Sequence, residues 1–274
     1  MTTMIAAKLP ASSGWQWLKD AFQIFRKQPF ALLALLFVIN MISQILMQIP
    51  VLGVGLFIIT MPIASLIVVS ACRDIQSKPT GFNHLDPKSW VASLQKTKVI
   101  SRLAFSGFIY AALLLLLSVV LLYPLLDEQT IAQISSIVYG VQDSAQATAD
   151  TLPDGSSLVL LLGWAILLFV VTLMFWHVPQ LIGWEDLTIG KAIFYSFVAS
   201  WRNKSAFLMY FLSWFLLFVL LQFIVIPLLV LLGLPALLIA FVMQVVLMIM
   251  VATIYCGFYS SYAAIFGTER PTVM

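Results

Sequence analysis

Six apolar runs, none containing Asp, Glu, Lys, Arg or His, divide this chain: residues 30–49, 51–71, 103–123, 158–176, 206–232 and 235–259. Each is close to the roughly 20 residues that a helix needs to cross the hydrocarbon of a bilayer. A backbone in lipid must satisfy its own hydrogen bonds, so such runs become helices. Only 9% of the 274 residues are charged and 62% are hydrophobic, against about 25% charged in a soluble domain. The runs therefore predict an all-α, polytopic membrane protein with six transmembrane helices. The connections leave no room for a separate soluble domain of ordinary size. Residues 1–29 are basic ahead of an apolar stretch, as in a secretory signal. That stretch is too long and lacks a small-x-small cleavage site, so it is expected to remain as the first span.

Pro50 separates runs one and two, and Gly233-Leu234-Pro235 separates runs five and six. Proline removes a donor and disfavours helix in the residue before it. Both points are expected to be hairpin tips. The fourteen basic residues then fall on one side of the membrane. Lys8, Lys19, Arg26 and Lys27 precede the first span; Arg73, Lys78, Lys88, Lys96, Lys98 and Arg102 lie between the second and third; Lys191, Arg202 and Lys204 lie between the fourth and fifth; Arg270 follows the sixth. The opposite side carries Asp127, Glu128, Asp143, Asp150 and Asp154 and no base. The positive-inside rule predicts both termini in the cytoplasm.

The segment Ser89-Trp90-Val91-Ala92-Ser93-Leu94-Gln95-Lys96 is echoed 107 residues later by Ser196-Phe197-Val198-Ala199-Ser200-Trp201-Arg202-Asn203, with four of eight positions identical. A weaker copy, Asp20 to Lys27, precedes the first span. Each copy leads into a pair of spans, which predicts three parallel repeats of an amphipathic helix plus a helical hairpin. The units run over about 14–73, 84–176 and 185–260 of a single membrane domain, 1–274, with an extracytoplasmic loop at 127–157. In the first amphipathic helix Trp15, Leu18, Phe22 and Phe25 share a face; in the third, Ile189, Ile193, Phe197 and Trp201 do. These helices either lie on the cytoplasmic interface or pack on the bundle. Trp15, Trp17, Arg26, Lys27, Trp90, Lys96, Trp201 and Arg202 are the expected interfacial anchors.

The opening pattern Gly14-Trp15-x-Trp17-Leu18-x-x-Ala21-Phe22-x-x-Phe25-x-x-x-Pro29, followed by six spans, resembles a widespread, uncharacterised family of proteobacterial inner-membrane proteins. More distantly it is similar to the membrane domains attached to some bacterial glycerophosphodiester phosphodiesterases. The phosphodiesterase domain and its metal-binding acids have no counterpart here. The resemblance implies an inner-membrane location and an architecture, and carries over no catalytic residue.

Ionisable groups inside spans usually mark ion-coupled or catalytic sites, and the runs offer none. HExxH, Walker, GxSxG and EF-hand motifs are also missing. His84 and His177 are the two histidines; His177, beside Trp176, Pro179 and Gln180, is expected to hydrogen-bond at the interface. Glu185 and Asp186 are expected to cap the third amphipathic helix. Cys72 and Cys256 read as apolar packing residues. No metal or cofactor is expected, nor is enzymatic activity.

Amides are the informative interior feature. Asn40, Gln44 and Gln48 recur every fourth residue, and Gln222 and Gln244 lie at comparable depth. All five are expected to turn inward, as interhelical glue or as the lining of a polar cleft open to the outside. The 127–157 loop carries Ile131, Ile134, Val138 and Val141 at helical spacing and suits a cap or a docking surface. The expected partners are membrane lipids and another membrane protein or a second copy of the chain, with nucleic acid excluded. Two functions follow as expectations. One is a non-enzymatic component that binds a partner or organises lipid. The other is a transporter or lipid-handling protein that uses the amide-lined cleft.

Overall fold

The computed structural model describes residues 6–50, 52–78, 85–122 and 155–267, and every regular element among them is helical. In chain order these are α1 (Ser12–Lys27), α2 (Pro29–Met47), α3 (Gly53–Ser77), α4 (Pro87–Val91), α5 (Val99–Leu122), α6 (Gly155–Phe175), α7 (Val178–Gly183), α8 (Ile189–Arg202), α9 (Lys204–Leu220), α10 (Ile226–Leu231) and α11 (Ala236–Phe266). A 3-10 turn, Ala92–Gln95, continues α4, and a π-turn, Leu221–Val225, joins α9 to α10. Six helical stretches are long and apolar enough to cross a membrane: Pro29–Met47, Gly53–Ser77, Val99–Leu122, Val159–Gly183, Lys204–Leu231 and Ala236–Phe266. The chain is thus a six-span helical membrane protein. The acidic loop and His84 lie outside the described residues, except that Gly155, Ser156 and Ser157 begin α6.

Helix ends follow backbone chemistry more than charge. Helices α3 and α11 continue past the apolar runs, to Ser77 and Phe266, because Arg73, Asp74 and the Tyr/Ser-rich end of α11 stop a hydrophobic run without stopping a helix. At the far hairpin Gly233 takes φ +73, the left-handed conformation that glycine adopts without a steric penalty. Pro227 has no N–H for the turn before it, and the π-turn at 221–225 absorbs that gap.

The chain divides into two compact units. Phe108–Leu173 forms one, made of the later part of α5 and most of α6. Within it Trp164 Nε1 donates to Ser118 Oγ at 3.2 Å, and the Tyr110 and Thr172 hydroxyls meet at 3.3 Å. Everything else, Met1–Gly107 with Met174–Met274, forms the other.

In that larger unit the buried side chains gather at one end. Helix α11 buries only residues from Ala252 onward, and α9 buries Ala206, Phe207, Tyr210, Ser213 and Trp214 while 221–231 bury nothing. Apart from Gly53 in the hairpin turn, α3 buries only residues from Ser65 to Ile75. Helix α1 packs across this end against α9 and α11, so the reading in which its aromatics join the bundle holds, but with a different face. The buried residues are Gly14, Trp17, Leu18, Ala21 and Ile24, whereas Trp15 is 45% exposed. The stripe is set by small residues. A Cβ at Gly14 would collide with the Ala206 carbonyl and lie 2.7 Å from the Tyr210 nitrogen, so the close crossing requires glycine there. The same device acts at Gly107, whose Cβ would strike the Ile59 backbone of α3. The N-terminal segment is fastened to this end as well. Asn203 Nδ2 donates to Ala7 O at 2.8 Å and Ala199 O at 2.9 Å, its Oδ1 accepts from Leu9 N at 2.8 Å, and Ala7 N donates to Ile265 O at 2.9 Å. Both described termini therefore sit at the packed end.

Candidate functional site

Two cavities in the larger unit are bounded by chemistry-bearing side chains. The first, about 230 Å³, lies partway along the spans between α2, α3 and α11. Its polar atoms come from Asn40 and Ser43 of α2 and Gln244 of α11, with Tyr255 at one edge. Leu36, Ile39, Phe57, Met61, Leu247, Met248 and Val251 supply the apolar remainder. Several of these walls, Met61, Leu247 and Val251 among them, are also exposed, which makes the cavity a groove in the surface that faces lipid.

Two of the five expected amides, the half-buried Asn40 and the exposed Gln244, thus line one groove. Gln44 and Gln48 are exposed outside its lining, and Gln222 is half-buried in the π-turn, also outside it. A fourfold spacing advances about 40° per step, so Gln48 is turned roughly 80° from Asn40 and already belongs to the turn after α2. Gln44 lies three residues from the end of α2, about 4.5 Å along the axis. From there a long amide can reach the headgroup layer without an interior partner.

The expected anchors divide similarly. Trp15, Arg26, Trp201 and Arg202 are exposed, and Lys204 Nζ sits 5.0 Å from the Trp201 ring centroid. Trp17 is not an anchor: it is 1% exposed and packs edge-on against Phe207 at 5.2 Å and Tyr210 at 6.2 Å. Trp90 is also buried, its Nε1 donating to Asp74 Oδ2 at 3.1 Å. The lysines act as carbonyl caps, Lys27 Nζ on Gln76 O at 3.0 Å and Lys96 Nζ on Gly183 O at 3.0 Å. Both reach over helix C-terminal ends, where a cation is favoured.

Glu185 and Asp186 do not cap α8, whose N-terminal residue Thr188 makes no side-chain cap bond. Glu185 accepts from Tyr262 Oη at 2.9 Å, and Asp186 pairs with Arg102 at 2.6 Å. Long-range partners outcompete the local cap. His177 is not an interfacial hydrogen-bonder either. Its ring is fully buried between Phe207, Tyr262 and Phe266, and neither ring nitrogen has a partner among the described residues. Its backbone N–H donates to Ser196 Oγ at 3.0 Å. Cys72 and Cys256 are buried as expected, with a closeness that their separate positions in sequence gave no sign of: the sulfurs are 3.1 Å apart across α3 and α11. Among the described residues no three His, Cys, Asp or Glu side chains converge as a metal site.

The second cavity, about 220 Å³, lies at the packed end among Ser70, Arg73, Asp74, Ser77, Ser89, Ser93 and Trp184. Sequence reasoning missed it, since its serines lie on two elements that only tertiary packing brings together.

No family model matches the chain, and no solved structure matches it. A curated protein of Burkholderia thailandensis, described as a probable inner membrane protein, is 29% identical over 272 residues, covering 96% of this chain and 94% of the relative. Six spans and end-to-end similarity to such a protein make this a polytopic helical protein of the inner-membrane type.

Proposed function

We propose that this chain is a non-enzymatic component of the bacterial inner membrane that organises lipid, with both termini in the cytoplasm. The observation that carries the reading is the groove between α2, α3 and α11. Its walls are mostly apolar and partly exposed, and they hold two amides and the hydroxyls of Ser43 and Tyr255 but no Asp, Glu, Lys, Arg or His. Such a wall suits an apolar chain bearing a polar group, and has no carboxylate or histidine to carry a coupling proton. The distant likeness to membrane domains of glycerophosphodiester phosphodiesterases is compatible with this role and adds no chemistry to it.

The groove is tested by filling it. Met61→Trp in the full chain should leave the melting temperature in detergent nearly unchanged and remove co-purified lipid detected by mass spectrometry. Unaltered lipid retention, or a stoichiometric protein partner in place of lipid, would contradict the lipid reading, and the partner would then be the occupant. Asn40 and Gln244 facing one groove favour a second reading, in which lipid or solute is moved rather than held. Faster exchange of a fluorescent lipid between leaflets of reconstituted vesicles, abolished by Met61→Trp, is its signature.

Orientation rests on fourteen basic residues sharing one side. A cysteine at Ser144 should label from outside intact cells and one at Thr80 should not. The threefold repeat is supported by the order of elements, since α1, α4 and α8 each precede a pair of spans. In an experimental structure the segments ending at Phe25, Leu94 and Trp201 should superpose in a common direction.

A further inference from the structure

The second cavity holds Arg73, which forms no ion pair among the described residues. Among the described residues the ion pairs are Lys78 with Asp74 at 2.7 Å and Arg102 with Asp186 at 2.6 Å, and Arg73 belongs to neither. Its guanidinium lies over the Trp184 ring, 4.8 Å from the centroid, which holds it in place while leaving its N–H edge available. Asp74 also borders the cavity, but Lys78 Nζ, Trp90 Nε1 and Asp86 N all bond to its carboxylate. It is thereby committed to donors of its own.

The hydroxyls can be sorted by where their protons go. Ser77 and Ser89 donate to the carbonyls of Asp74 and Asp86. Ser70 Oγ accepts from Trp184 Nε1 at 3.2 Å, so its own proton remains free, and the Ser93 hydroxyl makes no hydrogen bond among the described residues. The cavity therefore presents an exposed guanidinium lying over Trp184 and two unspent O–H donors. That set matches an oxyanion with several oxygens in three dimensions.

We propose that this cavity binds a phosphate group, held by Arg73, Ser70 and Ser93. The site shares no residue with the lipid-facing groove and stands without it. Its place at the end of α3, where a 25-residue helix outruns the roughly 20 residues needed to span, is the level of headgroups. Trp184 beside it is the residue type that favours that level. The phosphate of an anionic phospholipid and free inorganic phosphate share the required chemistry.

The test uses the full chain in detergent, with phosphatidylglycerol binding read by native mass spectrometry and diacylglycerol as the probe lacking phosphate. Arg73→Gln should lower phosphatidylglycerol affinity about tenfold or more, as expected for a lost charge-assisted pair. Ser93→Leu, which fills the cavity and keeps the arginine, should do the same, so a folding defect in one variant does not decide the matter. Lys191→Gln, a change at an exposed base on α8, should have no effect, and diacylglycerol should not be retained. Displacement of the lipid by millimolar inorganic phosphate would assign the site to the bare anion, and resistance to displacement would assign it to the lipid. Wild-type affinity in both Arg73→Gln and Ser93→Leu, or an equal loss in Lys191→Gln, would overturn the proposal.

Discussion

The two ends of the larger unit differ in kind. At the end that carries both termini, Trp17, Trp176, Phe207, Tyr210 and Phe258 interlock, with the Trp176 and Phe258 centroids 4.1 Å apart, and polar side chains find distant partners such as Tyr262 on Glu185. At the other end the same helices bury almost nothing, and Leu231 and Leu237 are each 84% exposed. In water such a surface would drive aggregation; in a bilayer it is solvated by acyl chains, which are as apolar as leucine. The contrast teaches that this protein keeps its specificity where water and headgroups reward directional contacts. The hydrocarbon half is left to adapt to what surrounds it.

The comparison breaks first if the packed end proves tolerant. Trp17→Ala should cost about 3–5 kcal/mol, the range for emptying a buried aromatic site, whereas Trp15→Ala on the outer face of the same helix should stay within about 0.5 kcal/mol. Equal effects in thermal melts would remove the distinction between the two faces of α1. Gly14→Val comes next. Its branched side chain would meet the Ala206 carbonyl, and overpacking against backbone should cost about 3 kcal/mol. Asn203→Leu removes two hydrogen bonds that hold residues 7–9 and a third to Ala199 O, for about 1–3 kcal/mol, and should make the N-terminal segment sensitive to limited proteolysis. The smallest effect belongs to the far end: Gln44→Leu should change stability by no more than about 0.6 kcal/mol, the average for an interhelical hydrogen bond in lipid.

How far the sequence discloses this arrangement depends on which physical signal is being read. Charge exclusion locates the six spans, and proline with glycine locates the turns at Pro50 and at Gly233-Leu234-Pro235, because lipid and backbone sterics act locally and strongly. The inward face of α1 is rotated from the one its hydrophobicity predicts: hydrophobicity favours Trp15, Phe22 and Phe25, but close helix approach is decided by where side chains are small, at Gly14 and Ala21. The amide stripe divides for a related reason. Fourfold spacing relates Asn40 to Gln44 and Gln48, but says nothing of where α11 lies, and of the five amides Asn40 and Gln244 line the groove. The Arg73 cavity and the Cys72–Cys256 contact arise from pairs of elements far apart in the chain, so no local pattern could announce them.

The central claim, that specificity resides at the packed end while the opposite end faces lipid, is tested most directly by carbene footprinting with a photoactivatable phospholipid in bilayers. Labelling should concentrate on Leu231 of α10 and on Leu237 and Phe241 of α11, and spare Ala252, Cys256 and Ser260 further along α11. Equal labelling along α11, or protection of its outer half, would contradict the account.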